Sequence, residues 1–195
     1  MDGGSIPPSS TNARHITTLR IIDRLKTMTS VRRAAVAAAI AGLLASCGNT
    51  ATAPTTCPTD EILPTMNRYV EDSVFIDTPW EPAPDTDLAA AIDAGGVACS
   101  YGIQEAEVGA TILWAPADGT FDVRREQWKS DGQKQVDMPG TDEAWALQET
   151  IGEDNHVWTI NVLIDGVWIQ LNATFLQDLA AAQPLVDAAI TLLRN

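Results

Sequence analysis

Three cysteines, Cys47, Cys57 and Cys99, are the side chains of this 195-residue chain best suited to covalent chemistry. Cys47 closes the string Leu44-Ala45-Ser46-Cys47, which follows Arg32-Arg33 and an 11-residue small, apolar run from Ala34 to Leu44. A thiolate is the nucleophile needed to take up a lipid as a thioether. The small residues before it suit a peptidase that grips extended chain inside a bilayer. Basic residues, a short apolar run and then this cysteine make up a bacterial lipoprotein leader. The run is too short to span a membrane, for which about 20 residues are needed. We therefore expect translation from Met28, or else an extended basic region over residues 1–27, with removal of residues 1–46, lipidation of Cys47 and the protein held at the outer face of the cell membrane. The alternative is an alanine-rich core helix that happens to end in cysteine.

Cys57 and Cys99 remain as an even pair in a chain expected to be exported, which favours a disulfide between them. The alternative is two free, buried thiols. Their spacing forms neither a metal nor a redox motif, and no cofactor or metal is expected.

Two carboxylate pairs have spacings that can serve chemistry, Asp85/Asp87 and Glu105/Glu107. On a strand, Glu105 and Glu107 would share one face and could hold a cation or flank a glycosidic bond. That is the basis of an alternative reading as a cell-wall glycan enzyme. Solvated acidic surface is the simpler account of both pairs. Only His156 lies beyond Cys47, at the start of an expected strand where it needs no function. No GxSxG, P-loop, GxGxxG or HExxH string is present.

All six tryptophans follow Cys47, at positions 80, 114, 128, 145, 158 and 168. Trp114, Trp145 and Trp158 are expected in the core. Trp168 and Leu163 fall together on the otherwise polar face of an expected hairpin, where an exposed indole could stack on a sugar or an apolar ligand. The alternative is a helix that covers that face.

The elements that must position these residues follow from pattern. Residues 48–56 are small, polar and proline-bearing, and are expected to be a flexible spacer. Residues 57–195 suffice for a single domain with one core. Thr59 is the expected N-cap of a first helix disturbed by Pro64. A proline-rich loop over 78–87 precedes a short helix at 88–94, stopped by Gly95-Gly96. Alternation predicts strands at 97–103, around Ile112 and Trp114, and at 144–148. Phe121, Arg124, Arg125 and Trp128 lie at helical spacing between Thr120 and Asp131. The Asp165-Gly166 dipeptide marks a type I′ hairpin. Its register opposes Ile164 to Val167, Val162 to Ile169, Ile160 to Leu171 and Trp158 to Ala173. Thr159, Asn161, Gln170 and Asn172 then fall on the other face, expected to meet solvent. A final helix carries Leu185, Ala188, Ala189, Leu192 and Leu193 on one stripe, with Pro184 at its first turn. The fold class expected is α+β: an antiparallel sheet of four to six strands, helices packed mainly on one face, and a C-terminal helix.

Charge narrows the partners. Residues 1–46 hold six basic and two acidic side chains, whereas residues 47–195 hold six basic and 24 acidic, a net charge of −18. So acidic a domain repels nucleic acid and anionic headgroups, so membrane contact is expected through the lipid alone.

The layout from Cys47 onward resembles a family of small actinobacterial lipoproteins of unknown function. The resemblance rests on Cys47, the spacer to Thr56, Cys57, Cys99 with Tyr101 two places on, the 157–173 hairpin and the helix from Leu185 to Leu193. It implies an α+β sandwich like the PsbP fold with Cys57 and Cys99 paired, and it implies no catalytic residues. Pro58 and the prolines of 79–84 depart from that layout. The expected role is binding, without catalysis, of a small ligand or an envelope protein through one sheet face, with Trp168 and Leu163 as the candidate contacts. A structural or accessory subunit is the remaining alternative.

Overall fold

The computed structural model describes residues 51–117, 121–151 and 155–194. The leader, Cys47 and residues 48–50 lie outside them. Seven strands form one antiparallel sheet: β1 (Val74–Ile76), β2 (Val97–Ile103), β3 (Val108–Pro116), β4 (Lys134–Val136), β5 (Glu143–Ile151), β6 (Asn155–Ile164) and β7 (Val167–Ala173). Their order across the sheet is β1-β2-β3-β7-β6-β5-β4. Among the described residues four α-helices accompany them: α1 (Thr59–Met66), α2 (Asp87–Asp93), α3 (Phe121–Ser130) and α4 (Gln183–Thr191). The class is α+β as expected, with more strands than the four to six anticipated. The two extra strands, β1 and β4, are three-residue edges, too short to alternate visibly in sequence.

The β6–β7 hairpin adopts the expected register, from Ile164 opposite Val167 to Trp158 opposite Ala173. Asp165 and Gly166 both have positive φ, the requirement of a type I′ turn. Turn chemistry and apolar pattern select the same pairing, because a one-residue slip would turn Ile160, Val162, Ile169 and Leu171 out of the core.

Helices cover both faces of the sheet, where packing mainly on one face was expected. On the first face, Ile62 and Met66 of α1 and Leu185, Val186, Ala189 and Ile190 of α4 pack on Cys99, Ile112, Trp114, Ile160, Val162, Ile169 and Leu171. On the second, Ala91 of α2 with Phe121 and Trp128 of α3 pack on Ala98, Leu113, Ala115, Trp145, Leu163 and Trp168. Strand alternation sorts the two sets: Ile112 and Trp114 face one way, Leu113 and Ala115 the other. The apolar spacing of Phe121 and Trp128 was visible in sequence; which face it would cover was not. Trp114 and Trp145 are buried as expected, but on opposite faces, and Trp158 is half-buried against the first core.

Several local features differ from expectation. Pro58, not Thr59, occupies the N-cap of α1, with no side-chain cap bond. Pro64 is accommodated inside this helix, whose first turn carries Asp60 and Glu61 at the favourable end of the dipole. Ala51 and Ala53, placed by sequence in the flexible spacer, pack against the first core. Cys57 and Cys99 are joined in a disulfide, with their Cα atoms 5.6 Å apart. It fastens the entry to α1 onto the second strand of the sheet.

Candidate functional site

The second face divides into a covered half and an open half, joined by a seam of hydrogen bonds. Asp87, the first residue of α2, is the hub. Its Oδ1 accepts from the Arg124 guanidinium at 3.0 Å, and its Oδ2 accepts from Trp128 Nε1 at 2.9 Å and Gln170 Nε2 at 2.7 Å. Gln170 Nε2 also donates to Asn161 Oδ1 at 3.0 Å, which accepts in addition from Trp168 Nε1 at 2.9 Å. Asn161 Nδ2 donates to Gln133 Oε1. Gln170 Oε1 accepts from Asn172 Nδ2 at 3.0 Å, and Asn172 Oδ1 accepts from the Thr159 hydroxyl at 2.8 Å.

Every amide in this chain has its orientation dictated by its neighbours. Indoles can only donate, and an ionised carboxylate can only accept. Trp168 therefore fixes the oxygen of Asn161, Asp87 fixes the nitrogen of Gln170, and these two leave Asn172 one arrangement. Asn161 is fully buried and Gln170 nearly so. The solvent-facing role expected for these two amides is thus corrected: they are satisfied inside a helix-covered core. Asp87 is likewise no solvated acid, since its side chain is 18% exposed and its partner Arg124 is 15% exposed. A second anchor holds α3 down, where Arg125 Nε meets both carboxylate oxygens of Glu143 at 2.8 Å.

The same arrangement settles the position of Trp168 and Leu163. They pair across the hairpin as expected, but Trp168 is 2% and Leu163 7% exposed. The Phe121 and Trp128 rings lie 5.7 and 5.9 Å from that of Trp168. The platform expected there is the floor of the second core, because α3 lies over it.

Beyond Ala98 and Leu113 the same face continues uncovered through Ser100 and Thr111, which pair across β2 and β3. A groove of about 320 Å³ opens here, and no α-helix contributes to its lining among the described residues. It is lined on the strands by Ile76, Ser100, Gly109, Thr111, Val157 and Asn172, and around the β2–β3 connection by Ile103, Gln104, Glu107 and Val108. Gly109 lies opposite Gly102, and a Cβ on either would come within 2.3 Å of a carbonyl oxygen of the facing strand. Close strand approach thus demands glycine at both positions, which leaves the groove free of a side chain at Gly109. Polar capacity is left over in this lining. Ser100 Oγ and Thr111 Oγ1 are 3.3 Å apart, so one donates to the other and a single hydroxyl hydrogen remains. Asn172, held by Gln170 and Thr159, keeps a second N–H and a second lone pair. A groove of this size with apolar walls and a few oriented polar groups has the character of a small-molecule site.

Glu105 and Glu107 are not on a strand. Glu105 lies in a 3-10 turn (Gln104–Ala106), and Glu107 follows it in the left-handed region at φ +52°. Glu107 lines the groove, whereas Glu105 lines an adjoining cavity with Asp72 and Asp77. The shared strand face required by the paired-carboxylate reading is therefore absent. His156 hydrogen-bonds through Nε2 with the Leu176 carbonyl oxygen at 2.9 Å, a structural contact at the start of β6. Trp80 is half-buried and donates to the Ala98 carbonyl. Among the described residues, no three His, Cys, Asp or Glu side chains are grouped to hold a metal ion, and no helix is long and apolar enough to cross a membrane.

On the first face, Tyr101 is 1% exposed and its hydroxyl has no partner among the described residues. Burial pushes its phenol pKa well above the usual value, and the nearby Glu61 carboxylate adds to the effect. No protein-family model matches the chain, and no curated protein matches it.

Proposed function

We propose that this chain is an envelope lipoprotein that binds a small ligand in the groove over Ser100, Thr111 and Asn172. It is held at the outer face of the cell membrane by lipid on Cys47, and it belongs with the two-cysteine lipoproteins whose layout it resembles. The observation that carries the binding role is the division of the second sheet face. Half of it is closed by α2 and α3 through a hydrogen-bonded polar seam. The other half is left open with oriented donors and acceptors in its lining. The seam reaches the groove through Asn172, so helix packing and groove geometry are one hydrogen-bonded unit.

Thr111→Trp, opposite Asn172 at the groove, fills the space without entering either core. Protein purified from its own host is expected to carry a bound mass that is lost on denaturation and absent from this variant. A mass retained by Thr111→Trp would place binding elsewhere. Cys47→Ser is expected to move the protein from the membrane to the soluble fraction, and continued lipid labelling would refute the anchor.

A further inference from the structure

We infer that the ligand of this groove is a small organic cation with an apolar body, such as an alkyl or aryl ammonium; this rests on the binding role proposed above. Size comes from the groove, whose volume of about 320 Å³ is at the small end of the range for small-molecule sites. The apolar body comes from the aliphatic lining, since Ile76, Ile103, Val108 and Val157 border the groove and are each half-buried, leaving carbon for a guest to cover.

The charge comes from the ionisable lining. Among the described lining residues Glu107 is the one carboxylate, Tyr101 is buried in the first core, and no Lys, Arg or His is present. The adjoining cavity shares Ile76, Ile103 and Gln104 with the groove, and its ionisable residues are Asp72, Asp77 and Glu105. An anion entering here would meet carboxylates with no compensating cation, while an ammonium would find Glu107 at the mouth and the domain's charge of −18 behind it. The polar lining suits such a guest, because Asn172 Oδ1 and the Ser100/Thr111 hydroxyls offer lone pairs to an N–H donor.

Glu107 is also placed there at a conformational cost. Among the described non-glycine residues with positive φ, the other three are aspartates, Asp72, Asp85 and Asp165, and aspartate enters that region more readily. Glutamate gains nothing from the turn that glycine or asparagine would not supply, and its carboxylate stands at the groove.

The test uses octylamine, octanoate and octanol as probes, three guests of one shape with positive, negative and no charge. Amide chemical shifts are followed on the folded domain at constant ionic strength. Octylamine is expected to shift Gly102, Gly109 and Thr111 selectively, and Glu107→Gln is expected to weaken it roughly fivefold, the upper end for an ion pair at an exposed rim. Octanoate or octanol shifting the same amides as strongly as octylamine would overturn the charge preference and leave the groove standing as a binding site. Octylamine that shifts these amides equally in wild type and Glu107→Gln would overturn the role of Glu107. If none of the three probes moves these amides, and a bound mass from the host is also retained in Thr111→Trp, the groove itself is refuted.

Discussion

Replacing Asp87 with alanine removes the acceptor for three donors at once. Trp128 Nε1 loses its partner while the ring stays buried, Gln170 Nε2 is left with one bond of two, and Arg124 loses its carboxylate. A buried donor without a partner costs about 1–3 kcal/mol, and a hydrogen bond to a charged group contributes about 1.5–3 kcal/mol. Arg124, at 15% exposure, recovers part of its share from water. The sum is a loss of about 4 kcal/mol. For a domain of this size each kcal/mol lowers Tm by about 2–4 °C, so a fall of roughly 8–16 °C is expected. Asp87→Asn is the sharper variant because it keeps the volume. Arg124 donates to one oxygen, and Trp128 and Gln170 donate to the other, so acceptors are needed at both ends. An asparagine turned either way sets its own N–H against a donor, and most of the loss is expected to remain. Glu81→Ala, an exposed acid of the preceding loop, is expected to stay within about 0.5 kcal/mol of wild type. Urea unfolding followed by tryptophan fluorescence, with the disulfide intact, measures all three. An Asp87→Asn variant as stable as wild type would refute the seam as the element that holds α2 and α3 on the sheet.

Three further outcomes are expected. Cys57→Ser/Cys99→Ser opens a loop closed over a 42-residue separation and should lower stability by about 4 kcal/mol on the chain-entropy model, read as a shift in the urea midpoint. Tyr101→Phe deletes a buried hydroxyl with no partner, so at pH 7 the variant should equal or exceed wild type in stability. In wild type the folded phenol stays protonated where the unfolded one ionises near pH 10, so stability from this residue is intact below pH 10 and falls above it by up to about 1.4 kcal/mol per pH unit. Urea midpoints between pH 9 and 11 should show that component missing from Tyr101→Phe, and parallel slopes would contradict the assignment. Glu107→Gly relieves a left-handed backbone that costs a side chain about 1–2 kcal/mol, against about 0.5–1 kcal/mol of added chain entropy, so a net gain of about 0.5–1 kcal/mol in stability should accompany weaker octylamine binding.

The parts of the fold that could be read from sequence are those where two independent signals coincide. Asp165-Gly166 and the alternation around it gave the β6–β7 pairing residue for residue, and Pro184 with the leucine and alanine stripe gave α4. The short edges β1 and β4 could not be read, because three residues carry no period. The second covered face was open as an alternative only, for a different reason. Asn161 and Gln170 have the polarity of solvent-facing residues, and only their partners Asp87, Trp168 and Gln133, 7 to 83 positions away, make them interior. The clue was the Leu163/Trp168 pair on the same face, together with an α3 whose Phe121 and Trp128 needed somewhere to pack. The groove was illegible, since it exists by what α2 and α3 leave bare, and helix placement over a sheet is a tertiary property. Glu105 and Glu107 look alike in sequence, and the intervening 3-10 turn sends them to different cavities.

The central claim is that the bare half of the second face is a binding site and the covered half is core. A crystal structure of the protein purified from its native host tests this most directly. The expected result is density over Ser100, Thr111 and Asn172, with Trp168 sealed beneath α3. Density at any other position, or α3 displaced so that Trp168 meets the ligand, would contradict the account.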